Sequence, residues 1–290
     1  MIEWYYLSLI AAIFSAAAAV SQKKVLFKES AIGFSLLVAL FNLIIAIPFF
    51  FFADYSALTL SGMLILLLKS TLGAIAFLFV MLGIKNLDIS KALPLLVLTP
   101  GLVAIFAFIF LGENLTLLEI GGIILLIIGT YILSLKTKNY KMPIKKAFDP
   151  KGHYYIIAAL LIFTTTSILD KAVLNTFKIP INAFMGFQHL FFAIVFIIIL
   201  LASKKHIEFK SAIKDSWAWI LLIAIFTIAY RYSHLLAIKS ASVALALSLK
   251  RISVFLAVLV GGTLFKEKNL LRKLIATAIM IAGTILIIMN

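Results

Sequence analysis

Apolar residues in this chain fall into ten blocks, each about as long as a bilayer-crossing helix: roughly 4–22, 33–53, 62–84, 90–111, 117–135, 153–175, 182–203, 217–238, 242–263 and 270–289. About twenty helical residues, rising ~1.5 Å each, cross a hydrocarbon layer of ~30 Å. Lipid offers no partner to backbone N–H and C=O groups, so a spanning segment is either a helix or part of a closed barrel. Barrel strands alternate apolar and polar residues, and GGIILLIIGTYILSL at 121–135 does not alternate. The expected fold is therefore an all-α membrane protein with ten transmembrane helices. The first block is followed by SQKKVLFKES rather than a small-residue cleavage site, which marks it as a retained span and not a signal peptide.

The formal net charge of +15 invites a nucleic-acid reading, but the placement of the cations points elsewhere. Alternate loops carry Lys23, Lys24 and Lys28; Lys85 and Lys91; six lysines from Lys136 to Lys151; Lys204, Lys205, Lys210 and Lys214; and Lys266, Lys268, Arg272 and Lys273. The intervening loops carry only Lys171, Lys178 and Lys239 at their edges, a bias of 19 to 3. Cytoplasmic loops are enriched in Lys and Arg, so this bias places both termini outside the cytoplasm and implies a multi-pass protein of the cell membrane, whose surroundings are lipid and not nucleic acid. The absence of cysteine removes disulfide and thiolate chemistry.

The basic connection KTKNYKMPIKKAFDPKGH divides the spans into five and five, and the halves match. IKNLDISKALPLL at 84–96 aligns without gaps with IKSASVALALSLK at 238–250, a shift of 154 that also superposes Glu113 on Glu267, Gly129 on Gly283 and Thr130 on Thr284. QKKVL from Gln22 pairs with DKAVL from Asp170, and FNLIIAI from Phe41 with QHLFFAI from Gln188. The expected organisation is a first repeat at 1–135, a basic connecting loop at 136–152 and a second repeat at 153–290. Five spans is an odd number, so the second repeat should cross the membrane in the opposite sense. Secondary transporters use such inverted repeats to alternate access around one central site.

The halves end in LGENLTLLEIGGIILLIIGTYIL and FKEKNLLRKLIATAIMIAGTILI, which resemble the Glu-then-Gly-Thr ends of the two repeats in the EamA family of the drug/metabolite transporter superfamily. The likeness covers nearly the whole chain and implies a ten-helix transporter, not an enzyme. The superfamily's cargoes include amino acids, drugs, metabolites, sugar phosphates and nucleotide sugars, so the resemblance names no substrate. This chain departs from many EamA members in lacking a basic C-terminal tail, and in the orientation that its lysines imply.

Four cations remain inside spans: Lys69, Arg231, Lys250 and Arg251. Each would cost about 2.5–3.5 kcal/mol at a helix centre facing lipid, so they are expected to face the bundle interior or water. Counted from the outer ends of their spans they lie seven to nine residues deep, roughly 10–14 Å below the boundary. His189 lies at similar depth, and Asp170 and His234 lie nearer the surface. Arg holds two oxygens of an anion in its planar fork, Lys supplies a point charge, and Tyr230 and Tyr232 beside Arg231 could orient a ring or sugar. LKRISV, containing Lys250 and Arg251, is similar to the ninth-span Lys-Arg pair of the triose-phosphate translocator branch, which implies a clamp for phosphate or another anion. The candidate substrate-binding set is Lys250, Arg251, Arg231, Lys69, Tyr230, His189 and His234.

Asp170 is the one acidic residue placed within a span, which argues against a pump for cationic drugs and favours movement of a small-molecule anion. The alternatives are an exporter of amino acids or other neutral metabolites, and a lipid-phosphate flippase. No cofactor, metal or catalytic residue is implied, and the oligomeric state is left open, a monomer included. Glu113 and Glu267, at helix junctions, are read as complementing the dipole of the helix that follows each. Gly121, Gly122, Gly129 and Gly283 are read as close-packing positions, and Pro94 and Pro100 as kinks in the fourth span.

The lysine bias generates a direct prediction. Protease-cleavable tags fused at Met1 and Asn290 should both be cut from outside intact cells, and neutralising lysines between 136 and 151 should weaken that orientation.

Overall fold

A computed structural model describes residues 3–27, 29–99, 101–102, 116–134, 151–203, 209–241 and 243–289, and among them there is helix and turn but no strand. The first repeat contains α1 (Trp4–Leu26), α2 (Ala31–Phe51), α3 (Leu60–Asn86), α4 (Ile89–Leu95) and α5 (Leu117–Ser134). The second contains α6 (Lys151–Lys171), α7 (Ile181–Ser203), α8 (Phe209–Ser240), α9 (Val243–Lys250), α10 (Ile252–Leu264) and α11 (Leu270–Ile288). Ser30 and Thr59 start α2 and α3 by accepting from the amides of Gly33 and Gly62 at 3.1 and 3.2 Å, which satisfies donors that the helix itself leaves unpaired. Among the described residues, seven helices are long and apolar enough to cross a membrane, and the apolar stretches Ile89–Leu98, Ile120–Ile132 and Ile252–Leu264 are shorter. Large apolar side chains such as Ile13, Ile44, Ile127 and Ile198 point outward, as a lipid solvent allows.

The most extensive helix contacts join the two repeats: α5 with α11, α1 with α8, α3 with α6, and α2 with α7. Under the correspondence between repeats, α5/α11 and α2/α7 each pair an element with its own counterpart, while α1/α8 and α3/α6 exchange into one another. The repeats are therefore interlocked across a pseudo-two-fold relation rather than set side by side. Gly122 and Gly283 mark it: a methyl added to Gly122 would lie 2.5 Å from the Gly283 carbonyl oxygen, and one added to Gly283 would lie 2.7 Å from that of Gly122. Gly129 likewise abuts the backbone of Ala276, whereas Gly121, expected to pack closely, has nothing within 4 Å of the same position. It sits on the other side of α5, about 100° away around the axis.

Both fourth segments are interrupted at matching positions. α4 tightens into a 3-10 turn at Leu96–Leu98, and the helix expected over 242–263 breaks at Arg251, between α9 and α10. The shift of 154 superposes Val97 on Arg251. Pro94 accounts for the first break by removing a backbone donor, and Pro100 lies outside the described residues. No proline is present at the second, where Val254 bonds to Arg251 rather than to Lys250.

Lys23 and Lys171, the first counted as a loop charge and the second at a loop edge, bond to carbonyls at helix ends. Lys23 is buried and donates to the carbonyls of Ile84 at 2.5 Å and Leu87 at 2.7 Å, which end α3. Lys171 donates to those of Ile238 at 2.9 Å and Ala241 at 2.8 Å, which end α8. These are equivalent contacts in the two repeats, and each places a cation where helix dipole and unpaired carbonyls both favour it. Glu267 also differs from expectation. Its carboxylate turns back to the start of α4 in the other repeat, accepting from the amides of Ile89 at 2.7 Å and Ser90 at 3.3 Å and from the Ser90 hydroxyl, instead of serving the helix that follows it. The left-handed conformation at Lys266 and Asn269 folds the turn so that this is the N-terminus within reach. Its counterpart Glu113 lies outside the described residues.

Adjacent glycines provide an internal control on the interlock. Gly122→Ala should destabilise the detergent-solubilised protein by about 1–3 kcal/mol through overpacking, read as a lowered melting temperature, while Gly121→Ala should leave it unchanged or slightly raised.

Candidate functional site

A cavity of about 230 Å³ lies between the repeats, and Lys69, His189, Tyr230, Arg231, His234, Lys250 and Arg251 all line it. Counterparts in the two repeats both line it: Ala19 and Ser167, Gln22 and Asp170, Asn42 and His189. Tyr232 is not among the lining residues; it packs in an apolar cluster with its ring centroid 5.5 Å from that of Phe49. Tyr230 and Tyr232 lie two positions apart, so the two tyrosines emerge about 200° apart on α8.

The four cations divide into two kinds. Lys69, 3% exposed, and Arg231 share the carboxylate of Asp170, 4% exposed. Lys69 Nζ stands 3.0 Å from Asp170 Oδ1, and Arg231 Nη2 donates to both Asp170 oxygens at 2.8 Å. Gln188 Oε1 closes the network, accepting from Arg231 Nη2 at 2.7 Å and Nε at 3.1 Å and from Lys69 Nζ. The Phe184 ring lies beneath both cations, 4.9 Å from Lys69 Nζ and 5.7 Å from the Arg231 guanidinium carbon. Residues from α3, α6, α7 and α8 are thus tied by one carboxylate and one amide. The π-helical turn Ala172–Thr176 begins two residues after Asp170 and returns the chain toward α7.

Lys250 and Arg251 make no ion pair among the described residues. Lys250 Nζ sits 5.0 Å from the Tyr230 ring centroid, a cation–π contact. Arg251 Nη2 donates to Thr99 Oγ1 at 2.6 Å, while Thr99 uses its own hydrogen on the Leu96 carbonyl at 2.8 Å, so its oxygen is free to accept. Arg251 Nε is buried without a partner. The break at Arg251 therefore brings its guanidinium against the matching break in α4. Four cations against one carboxylate leave the described cavity wall with an excess of three positive charges, counting histidines as neutral. Buried cavity atoms without partners also include both ring nitrogens of His189, Nδ1 of His234, Asn42 Oδ1 and Thr227 Oγ1.

Among the described cations, Asp170 pairs with Lys69 and Arg231 alone. It does not neutralise Lys171, which is occupied by the α8 carbonyls, and it does not pair with Lys250 or Arg251. Sequence reasoning also missed Thr99, whose signal was its alignment with Ser253, two residues after Arg251. No group of three His, Asp or Glu side chains suited to a metal occurs among the described residues.

A helical membrane protein with two interlocked repeats around a charged central cavity belongs to the class of multi-pass transporters. Residues 2–135 and again 150–289 match the EamA-like transporter family, and the chain belongs to that family. No curated protein matches it. A crystal structure of a protein 14% identical superposes with a TM-score of 0.67, covering 98% of this chain and 95% of its own, a likeness of fold alone.

The division of cations predicts unequal consequences of substitution. Asp170→Asn should cost about 3–5 kcal/mol of folding stability, because it strips the charge partner from one buried and one part-buried cation. Lys69→Met added to Asp170→Asn should restore part of the melting temperature, since one uncompensated charge is then removed.

Proposed function

We propose that this chain is a secondary carrier that moves a small organic anion, a phosphorylated or carboxylated metabolite, by alternating access, through exchange or facilitated transport. The observation that carries this reading is that Lys250 and Arg251 border the cavity without a carboxylate partner among the described residues. A cation taken out of bulk water is stabilised by an anion, and an incoming phosphate or carboxylate supplies one. The Lys69–Asp170–Arg231–Gln188 network forms the neighbouring wall, whose cations are already shared with a protein carboxylate. In this reading Lys250 and Arg251 are the primary clamp, Tyr230 supports Lys250, and Thr99 holds Arg251 in place. Lys69, Arg231, His189 and His234 complete the substrate-binding set.

The proposed architecture is ten spans in two inverted repeats, 1–135 and 153–290, joined by the basic loop at 136–152, in the cell membrane with both termini outside the cytoplasm. Its support is the interlocking pattern of helix contacts, the matching helix breaks and the alternation of lysines. Broken helices beside a central site fit alternating access, because backbone freed from regular pairing is tolerated in a membrane only where it lines a cavity or is buried in protein.

Binding of candidate anions to purified protein tests the clamp. Lys250→Ala and Arg251→Ala should each weaken binding by about tenfold or more, the effect of losing a charge-assisted contact. Arg251→Lys should also weaken it, because charge is kept but the planar fork is lost. Parent-like binding by both alanine variants, with melting temperatures unchanged, would make the pair structural.

A further inference from the structure

We infer that Glu267 and Lys273 on Ser90 and Asp88 form a latch with more bonding side chains than its sequence counterpart at the opposite end, which biases the empty protein to rest closed at its lysine-rich end and open at the other. The inference rests on the alternating-access part of the reading above and is independent of which substrate the cavity takes.

Glu267 lies in the turn between α10 and α11, and Lys273 in the first turn of α11, both in the second repeat. Both reach the start of α4 in the first. The Glu267 carboxylate accepts from the amides of Ile89 and Ser90 at 2.7 and 3.3 Å and from the Ser90 hydroxyl. Lys273 Nζ bridges the two repeats, 3.3 Å from Glu267 and 3.2 Å from Asp88. The side chains of Glu267 and Lys273 are 4% and 2% exposed, so these charges are held out of water and depend on one another. A carboxylate on the first-turn amides of a helix also meets the positive end of its dipole. Separating α4 from the α10–α11 turn would break all of these contacts together.

The opposite end does not carry the same chemistry. In a protein whose two access states arise by exchanging the conformations of its repeats, contacts present in both repeats cancel, and only unmatched contacts set the equilibrium. The Lys23 and Lys171 contacts are matched, and each lies within its own repeat. The latch is matched only in part, since Glu267 has a sequence counterpart in Glu113 but its partners do not. At the shift of 154, Asp88 corresponds to Ser242, Ser90 to Ala244 and Lys273 to Glu119, so the sequence there has no equivalent of the Asp88 carboxylate, the Ser90 hydroxyl or the bridging cation. Among the described residues, the hydrogen bond joining the repeats at that end is a neutral, exposed one, from Asn182 Nδ2 to the Phe52 carbonyl at 2.9 Å.

The natural absence of cysteine makes the test direct. Ala19 and Ser167 are counterparts that both line the cavity, on α1 and α6. Single-cysteine variants Ala19→Cys and Ser167→Cys, in oriented vesicles without substrate, are labelled with a membrane-impermeant maleimide. The reagent is applied to Ala19→Cys from the face that bears the 136–151 loop and to Ser167→Cys from the opposite face. On the otherwise parental background Ser167→Cys should react faster. Adding Glu267→Gln should raise Ala19→Cys labelling about tenfold and lower that of Ser167→Cys, and Ser90→Ala should shift both in the same directions by less. No change in either rate, or a rise in both together, would overturn the latch and leave Glu267 as a helix cap that only holds the fold. Anion binding is not measured, so loss of the clamp reading and loss of the latch are separately recognisable.

Discussion

The carboxylate of Asp170 is the contact on which the interior of this protein depends. It is shared by Lys69 from the first repeat and Arg231 from the second, and the Gln188 oxygen faces the same two donors. Two cations brought together in a low-dielectric interior repel and are poorly solvated, and one carboxylate between them answers both costs. The network also fixes the relative positions of α3, α6, α7 and α8. The cavity wall is therefore held by the same charge that limits its positive excess. Lys250 and Arg251 stand beyond that network, and among the described residues no carboxylate pairs with either.

The same physics recurs at the helix ends. Lys23, Lys171 and Glu267 each meet backbone groups that a helix leaves unpaired, and each is placed where the dipole favours its charge. In water such contacts compete with solvent. At the ends of spans they replace it. The paired lysines follow the duplication and stabilise both halves alike, whereas Glu267 and Lys273 cross between halves and follow it only in part. A duplicated chain can thus keep matched contacts for stability and use unmatched ones for direction. Its close backbone contacts obey the duplication too, with Gly122 and Gly283 meeting across the pseudo-two-fold.

The class of fold was legible in the sequence because the bilayer imposes a length and a polarity that apolar blocks must match, and the duplication was legible because repeated side chains keep their spacing. Burial of the span cations followed from the cost of a charge in lipid, and Lys69, Arg231, Lys250 and Arg251 all border the cavity. What sequence could not assign was partnership. Asp170 lay near several cations, and only the packing of α3 and α8 against α6 decided that it meets Lys69 and Arg231. Glu267 was recognised as a junction carboxylate, but the helix end within its reach is 178 positions away in sequence at Ile89. Gly121 and Gly122 read alike, and only helix rotation separated the packed one from the open one. Burial and periodicity are local properties written along the chain, whereas ion pairs, caps and helix breaks depend on which groups the tertiary fold brings within about 3 Å.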